Sequence, residues 1–272
     1  MTTKEADRTG IADWDRAFTE RLVGTFRPVV KAYFRSEVRG LELIPPGGVL
    51  VVANHSGGLL PMDASVFVVD FYREFGYERP VFTLSHDDLF HGPLSRYLVR
   101  AGFIRATPEH AEQALHAGAV VVVFPGGDYD VYRPTNRRNV IDFDGRTGYA
   151  ETAIEAGVPI VPMVFIGGQE TQFYLSRGMG LARALRVSNW EHHLFRSRML
   201  PITFGFPFGL SIVLPVNMPL PAKVVAQVLP PIDLVATFGA RPDVDEVDDH
   251  VRHVMQAALD ELARQRRLPI VG

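Results

Sequence analysis

The 272-residue chain predicts an α/β fold, a mainly parallel central sheet flanked by helices, on three observations. Short apolar runs alternate with helix-like segments, the order that a parallel sheet with crossover helices produces. The runs show no polar alternation, as expected of strands covered on both faces. Helix signals fall between them: Thr107-Pro108-Glu109 is a cap with proline at the first helical position, and Gly118 and Gly157 stop helices.

An amphipathic basic helix comes first. Over 14–34, Phe18, Leu22, Phe26, Val29 and Tyr33 recur at helical spacing among Arg16, Arg21, Arg27, Lys31 and Arg35, with a break expected near Pro28. Residues 1–37 therefore form an N-terminal helical segment, and 38–272 the α/β domain. In that domain strands are expected at 49–53, 81–84, 103–105, 119–124 and 159–165. Helices are expected at 63–75, 93–101, 108–117 and 147–156. Residues 170–200 look helical, 201–229 resume short strands, and 244–267 make a charged terminal helix. No internal repeat or low-complexity linker marks a second domain.

Composition narrows the function. With 47% hydrophobic and 22% charged residues the chain can bury a large core. A formal charge of −3 argues against a general nucleic-acid binder, whose affinity rests on many cations. The absence of cysteine excludes disulfides, thiolate zinc sites and thiol nucleophiles, and fits a cytoplasmic protein. The polar N-terminus is not expected to be a signal peptide. The longest uncharged stretch, 199–222, is cut by Pro201, Pro207, Pro215, Pro219 and Pro221 and is not expected to span a membrane.

The most informative segment is Asn54-His55-Ser56-Gly57-Gly58, which ends the apolar run 49–53 and is followed by Asp63. His55 sits at a strand's carboxyl end, where open α/β sheets place their sites. An imidazole there can take a proton from a hydroxyl while Asp63 holds its ring and tautomer. The competing reading is a histidine packed in a turn. A second apolar run ends in Phe124-Pro125-Gly126-Gly127-Asp128-Tyr129-Asp130. Gly126 and Gly127 let backbone approach a substrate and aim N–H groups at a developing oxyanion. Arg133, Arg137, Arg138 and Arg146 follow as a cationic loop that can grip phosphate, or is simply solvated. His86, Asp87, Asp88 and His91 are metal-capable, but the histidines lie five apart and off one helical face, so no metal site is expected. Arg105, ending a short strand, is the better candidate for an anionic group.

The order of these pieces resembles the glycerolipid acyltransferase superfamily, the PlsC-like lysophospholipid acyltransferases, over residues 38–232. Asn54-His55 with Asp63 resembles its His–Asp motif, the segment from Phe90 to Arg105 its second block, Phe124-Pro125-Gly126-Gly127 its third, and Val158-Pro159-Ile160-Val161-Pro162-Met163 its fourth. Two departures stand out. Asp63 lies eight residues after His55 where the family usually has five, and Gly126 replaces the glutamate of Phe-Pro-Glu-Gly. Both resemble the diacylglycerol-acyltransferase-like branch, whose Pro-Gly-Gly is followed three residues on by a carboxylate, here Asp130.

The resemblance implies transfer of a fatty acyl group from acyl-CoA or acyl-ACP to the hydroxyl of a lysophospholipid or related glycerolipid or glycolipid. His55 acts as general base, Asp63 orients it, and Arg105, Gly126, Gly127, Asp130 and Arg146 contact substrate, with no metal or bound cofactor. A Gly-x-Ser-x-Gly elbow and a Gly-x-Gly-x-x-Gly fingerprint are both absent from the sequence. Asn54-His55-Ser56 matches a glycosylation sequon, expected to be a chance match. The alternatives are a catalytically inactive lipid- or acyl-carrier-binding protein and a lipid esterase. Peripheral membrane attachment is expected through 171–200, where Arg177, Arg183, Arg186, Arg196 and Arg198 are interleaved with Phe173, Leu181, Leu185, Trp190, Leu194 and Phe195; the competing reading is a helix packed on the protein's own core, and the N-terminal helix offers the same two readings. The sequence carries no indication of oligomeric state.

Overall fold

The computed structural model describes residues 11–57, 62–185, 199–266 and 268. Helices α1 (Arg16–Pro28), α2 (Asp63–Phe75), α3 (Ser95–Arg100), α4 (Pro108–His116), α5 (Gly127–Val131), α6 (Gly148–Ala156), α7 (Met179–Ala184), α8 (Leu234–Phe238) and α9 (Val244–Gln265) alternate with strands. The strands are β1 (Glu37–Arg39), β2 (Val49–Ala53), β3 (Val81–Ser85), β4 (Phe103–Arg105), β5 (Val120–Val123), β6 (Ile160–Ile166), β7 (Phe173–Ser176), β8 (Ile202–Gly205), β9 (Gly209–Ile212) and β10 (Val225–Val228).

Seven strands form the central sheet in the order β1-β10-β6-β2-β5-β3-β4. The five from β6 to β4 are parallel, while β10 pairs antiparallel with β6 and parallel with β1. The mainly parallel sheet expected from the sequence is therefore present, with a reversed pair at one edge. Alternate residues of each central strand face opposite cores. Leu50, Val52, Val121, Ile160 and Val164 pack with Leu115 of α4, Ala153 of α6 and Met255 of α9. Val49, Val51, Val120, Val122 and Met163 pack with Val66, Phe67 and Phe71 of α2 and with Val30 and Phe34. Every residue of β2 is buried, and fully burying one such valine is worth about 1.5–3 kcal/mol, so this strand fixes where its carboxyl end emerges.

The N-terminal helix begins at Asp15, whose side chain accepts from the Phe18 N–H at 2.9 Å. The break expected near Pro28 is a change of pitch: Val29–Tyr33 continue as a π-type turn in which the Phe34 N–H reaches the Val29 carbonyl.

A second, antiparallel sheet of order β7-β8-β9 packs beside the first. The expectation that 170–200 is helical is corrected at its start. Phe173–Ser176 alternate outward and inward with period two, Tyr174 being buried, and pair with β8; among the described residues of this span the α-helical part is the six-residue α7. Gly178, at φ +64, makes the switch between them, and a Cβ there would lie 1.8 Å from the Leu200 carbonyl oxygen. Arg186, Trp190, Leu194, Phe195, Arg196 and Arg198 lie outside the described residues.

Candidate active site

β2 and β5 are hydrogen-bonded neighbours, with Val52 opposite Val123, so Asn54-His55 and Phe124-Pro125-Gly126-Gly127 emerge side by side. Asn54 extends the sheet with its side chain. Its Nδ2 donates to the Phe165 carbonyl at 3.0 Å, and its Oδ1 accepts from the Phe165 N–H at 2.8 Å. This amide stands in for one rung of a strand ladder and ties the end of β2 to β6.

His55 follows immediately. Its Nδ1 lies 3.1 Å from Oδ2 of Asp63, the buried first residue of α2. The same carboxylate accepts the Ser56 N–H at 3.0 Å and the Ser56 hydroxyl at 2.5 Å. A helix N-terminus favours an anion, and three donors restrain its rotation. A carboxylate at Nδ1 selects the tautomer protonated there, which leaves the Nε2 lone pair to accept a proton. The ring stacks on Phe124, with centroids 4.1 Å apart and planes 6° from parallel. Its side chain keeps 14% exposure, enough for one edge to meet a substrate.

Asp130 holds the backbone of this residue: the His55 N–H donates to its Oδ2 at 2.6 Å. The carboxylate also pairs with Arg133, and both side chains are buried. Burial pushes the Asp130 carboxyl up to about 6, opposed by the Arg133 and His55 charges. Asp130, expected from the sequence to contact substrate, is fully buried here, with one carboxylate oxygen on the His55 N–H and the other on Arg133. Gly126 makes room for it, since a Cβ on Gly126 would lie 2.5 Å from Cβ of Asp130.

The Pro-Gly-Gly bend is closed by the Gly127 N–H, which donates to the Phe124 carbonyl at 3.1 Å. Arg146 clamps it from outside. One guanidinium nitrogen donates to the carbonyls of Pro125 at 3.2 Å and Gly126 at 2.9 Å, and the other to Asp128 at 3.1 Å. The four arginines expected to form one phosphate grip thus have separate tasks. Arg133 is buried on Asp130, Arg146 holds the bend, Arg138 faces Glu170 at 3.7 Å, and Arg137 is exposed. Arg105 pairs with Asp87 at 2.9 Å and lies over the Phe90 ring. It ends β4, three strands from β2 along the same carboxyl edge and so about 14 Å away at ~4.8 Å per strand.

Sequence reasoning missed Ser56, Asn54 as a structural tie, and the Gly167-Gly168-Gln169 corner after β6. A Cβ on Gly168 would lie 2.1 Å from Ser56 Oγ, and one on Gly57, at φ +98, would meet the Gln169 side chain. The signal was present: Gly167-Gly168 also follows an apolar strand. A cavity beside Asp63 is lined by Phe34, Ser56, Gly57, Thr171, Gln172 and Val216. Among the described residues no cluster of three or more His, Asp or Glu could hold a metal ion, and no helix is long and apolar enough to cross a membrane.

The residues that build this site lie within an acyltransferase domain. The family model described as Acyltransferase matches residues 35–166, from just before β1 to the last residue of β6, and so contains His55, Asp63, the Pro-Gly-Gly bend and Asp130. The chain is 32% identical over 261 residues to an uncharacterized protein of Mycobacterium leprae, covering 93% of this chain and 67% of that one. It is 28% identical over 206 residues to the mouse "DGAT1/2-independent enzyme synthesizing storage lipids", covering 71% and 55%. An uncharacterized protein of Mycobacterium tuberculosis is 33% identical over 243 residues; the chain spans 64% of its length. Among solved structures, the 1-acyl-sn-glycerophosphate acyltransferase PlsC from Thermotoga maritima superposes with a TM-score of 0.54 at 19% identity, over 90% of this chain and 81% of that one. That likeness is one of fold.

Proposed function

We propose that this protein transfers a fatty acyl group from an acyl thioester, acyl-CoA or acyl-ACP, to a hydroxyl of a lysophospholipid or related glycerolipid or glycolipid. The observation that carries the reading is the His55 Nδ1–Asp63 contact of 3.1 Å, with Asp63 held by Ser56 and the His55 backbone held by Asp130. In the proposed step, His55 Nε2 takes the acceptor's hydroxyl proton as that oxygen attacks the thioester carbonyl carbon. The tetrahedral oxyanion collapses, the C–S bond breaks, and the leaving thiolate takes the proton from the imidazolium. Ester and free thiol result, with no acyl-enzyme, metal or bound cofactor. Asp63 keeps the imidazolium oriented without itself being protonated. The Gly126 N–H is assigned to the oxyanion, because the Gly127 N–H is engaged within the bend. Arg105 is assigned to an anionic headgroup, and the reaction is placed at a bilayer surface because the acceptor resides there.

The test is purified protein with acyl-CoA, with and without a panel of lysolipids, following free thiol and acylated lipid. Thiol release that depends on acceptor, and is abolished in a folded His55→Ala variant, is the expected result. Near-normal turnover by that variant overturns the assignment of the base; release without acceptor indicates an esterase, and binding without release an inactive lipid- or acyl-carrier-binding protein.

A further inference from the structure

The hairpin of β8 and β9 is built inside out. Thr203 and Ser211 face inward, 6% and 4% exposed, and their hydroxyls meet at 2.9 Å. The buried Asn217 completes this polar interior by donating to Ser211 Oγ at 3.1 Å and to the Gly209 carbonyl at 2.9 Å. The side chains that point outward are Phe204, Phe206, Phe208, Leu210, Ile212 and Leu214, with Phe206 at 70% and Leu210 at 63% exposure. A half-buried antiparallel strand in water shows the opposite alternation. No charged residue occurs from Met199 to Ala222.

Three further features select a lipid bilayer as the medium that this face meets. The tip satisfies its backbone from within, as hydrocarbon requires: the Phe208 N–H donates to Asn217 Oδ1 at 3.0 Å, the Met218 N–H to the Phe206 carbonyl at 2.8 Å, and Pro207 has no N–H. The apolar surface continues onto the N-terminal helix. Tyr33, whose hydroxyl donates to the Pro219 carbonyl at 2.7 Å, shares one helical face with the exposed Phe26 and Val29. Cations flank that face: Arg27 is exposed, and Arg35 is exposed with its guanidinium donating to the Pro221 carbonyl at 2.8 Å. An uncharged apolar surface bordered by arginines complements acyl chains beneath anionic headgroups, whereas a protein interface of this size carries hydrogen-bonding groups across it.

We infer that the β8–β9 hairpin inserts into the interfacial layer of an anionic bilayer and, together with the Phe26–Tyr33 face, docks the protein there. Its location bears on the site. Thr171 and Gln172 line both the cavity beside Asp63 and an apolar groove walled by Phe173, Phe204, Phe206 and Met218, so lipid entering at the hairpin is next to the catalytic cavity. This last link rests on the proposed acyl transfer; the docking itself does not.

The test is co-flotation of the full chain with phosphatidylcholine vesicles, with and without phosphatidylglycerol, and no acyl donor. The expected result is flotation with the anionic vesicles, reduced about ten-fold or more in Phe208→Asp/Leu210→Asp while far-UV circular dichroism and thermal midpoint stay unchanged. Phe208→Trp should show a blue shift of its emission on adding those vesicles, a readout that needs no destabilising charge. His55→Ala should float like the unmodified chain, which separates this proposal from the catalytic one. Undiminished flotation of a folded double aspartate variant overturns the inference. So does failure of the unmodified chain to float, or a dimer in solution that the double variant dissociates.

Discussion

Asp63 reaches Nδ1 of His55 at 3.1 Å although eight positions separate them in the chain. The contact is set by where α2 begins rather than by counting along the loop, because Asp63 is the first residue of that helix and its side chain is turned back onto the end of β2. Replacing it by asparagine keeps the shape but allows the imidazole the wrong tautomer. Asp63→Asn should lower kcat by about 10³–10⁴ with KM nearly constant, read from steady-state thiol release at saturating lysolipid.

Gly126 and Asp130 are packed directly against each other. A residue with a Cβ at 126 collides with Asp130, so an acidic side chain at 126 and the carboxylate at 130 exclude one another in this backbone. Gly126→Glu alone should cost about 1–3 kcal/mol through overpacking. In a double-mutant cycle with Asp130→Gly the two losses should fall short of additivity by about 1 kcal/mol or more, measured by urea unfolding.

Burial holds the Asp130 carboxyl at about 6 against an ordinary 3.8. As pH rises from 3.8 to 6 the unfolded chain releases this proton before the folded one does, so the contribution to stability is full below 3.8 and is lost on the way to 6. Unfolding free energies at pH 4 and 7 should therefore decline more steeply for the unmodified chain than for Asp130→Asn, by roughly 2 kcal/mol across the interval. Equal slopes would show that Asp130 titrates normally.

Arg146 acts on the bend through geometry, since one planar guanidinium serves two carbonyls and a carboxylate. Arg146→Lys should lower the thermal midpoint and kcat together, to the same extent for lysolipids with and without a phosphate. An increase in KM restricted to phosphorylated acceptors would place the side chain on the headgroup instead.

The parallel core was legible because Val49–Ala53, Val120–Val123 and Ile160–Ile166 must be apolar on both faces to lie in mid-sheet, and because caps and glycines punctuate the helices between them. The His55–Asp63 pair was legible for a related reason: chemistry collects where such strands end. β7 was not, because Phe173 with Leu181 and Leu185 among nearby arginines imitates a helical stripe, and pairing with β8 decides the matter. Arg133 stood three residues after Asp130, a readable ion-pair spacing, yet its burial depends on surrounding packing that no local pattern encodes. The tie from Asn54 to Phe165 spans 111 positions and has no local signature.

That tie also settles what the Asn54-His55-Ser56 sequon means for this chain. The amide nitrogen that a glycan would occupy is committed to Phe165, and the amide oxygen to the same residue's N–H. Because Asn54 is only 1% exposed, a sugar on its amide and a closed junction between β2 and β6 are mutually exclusive, so any molecule glycosylated there would lack the anchor that sets His55 in place.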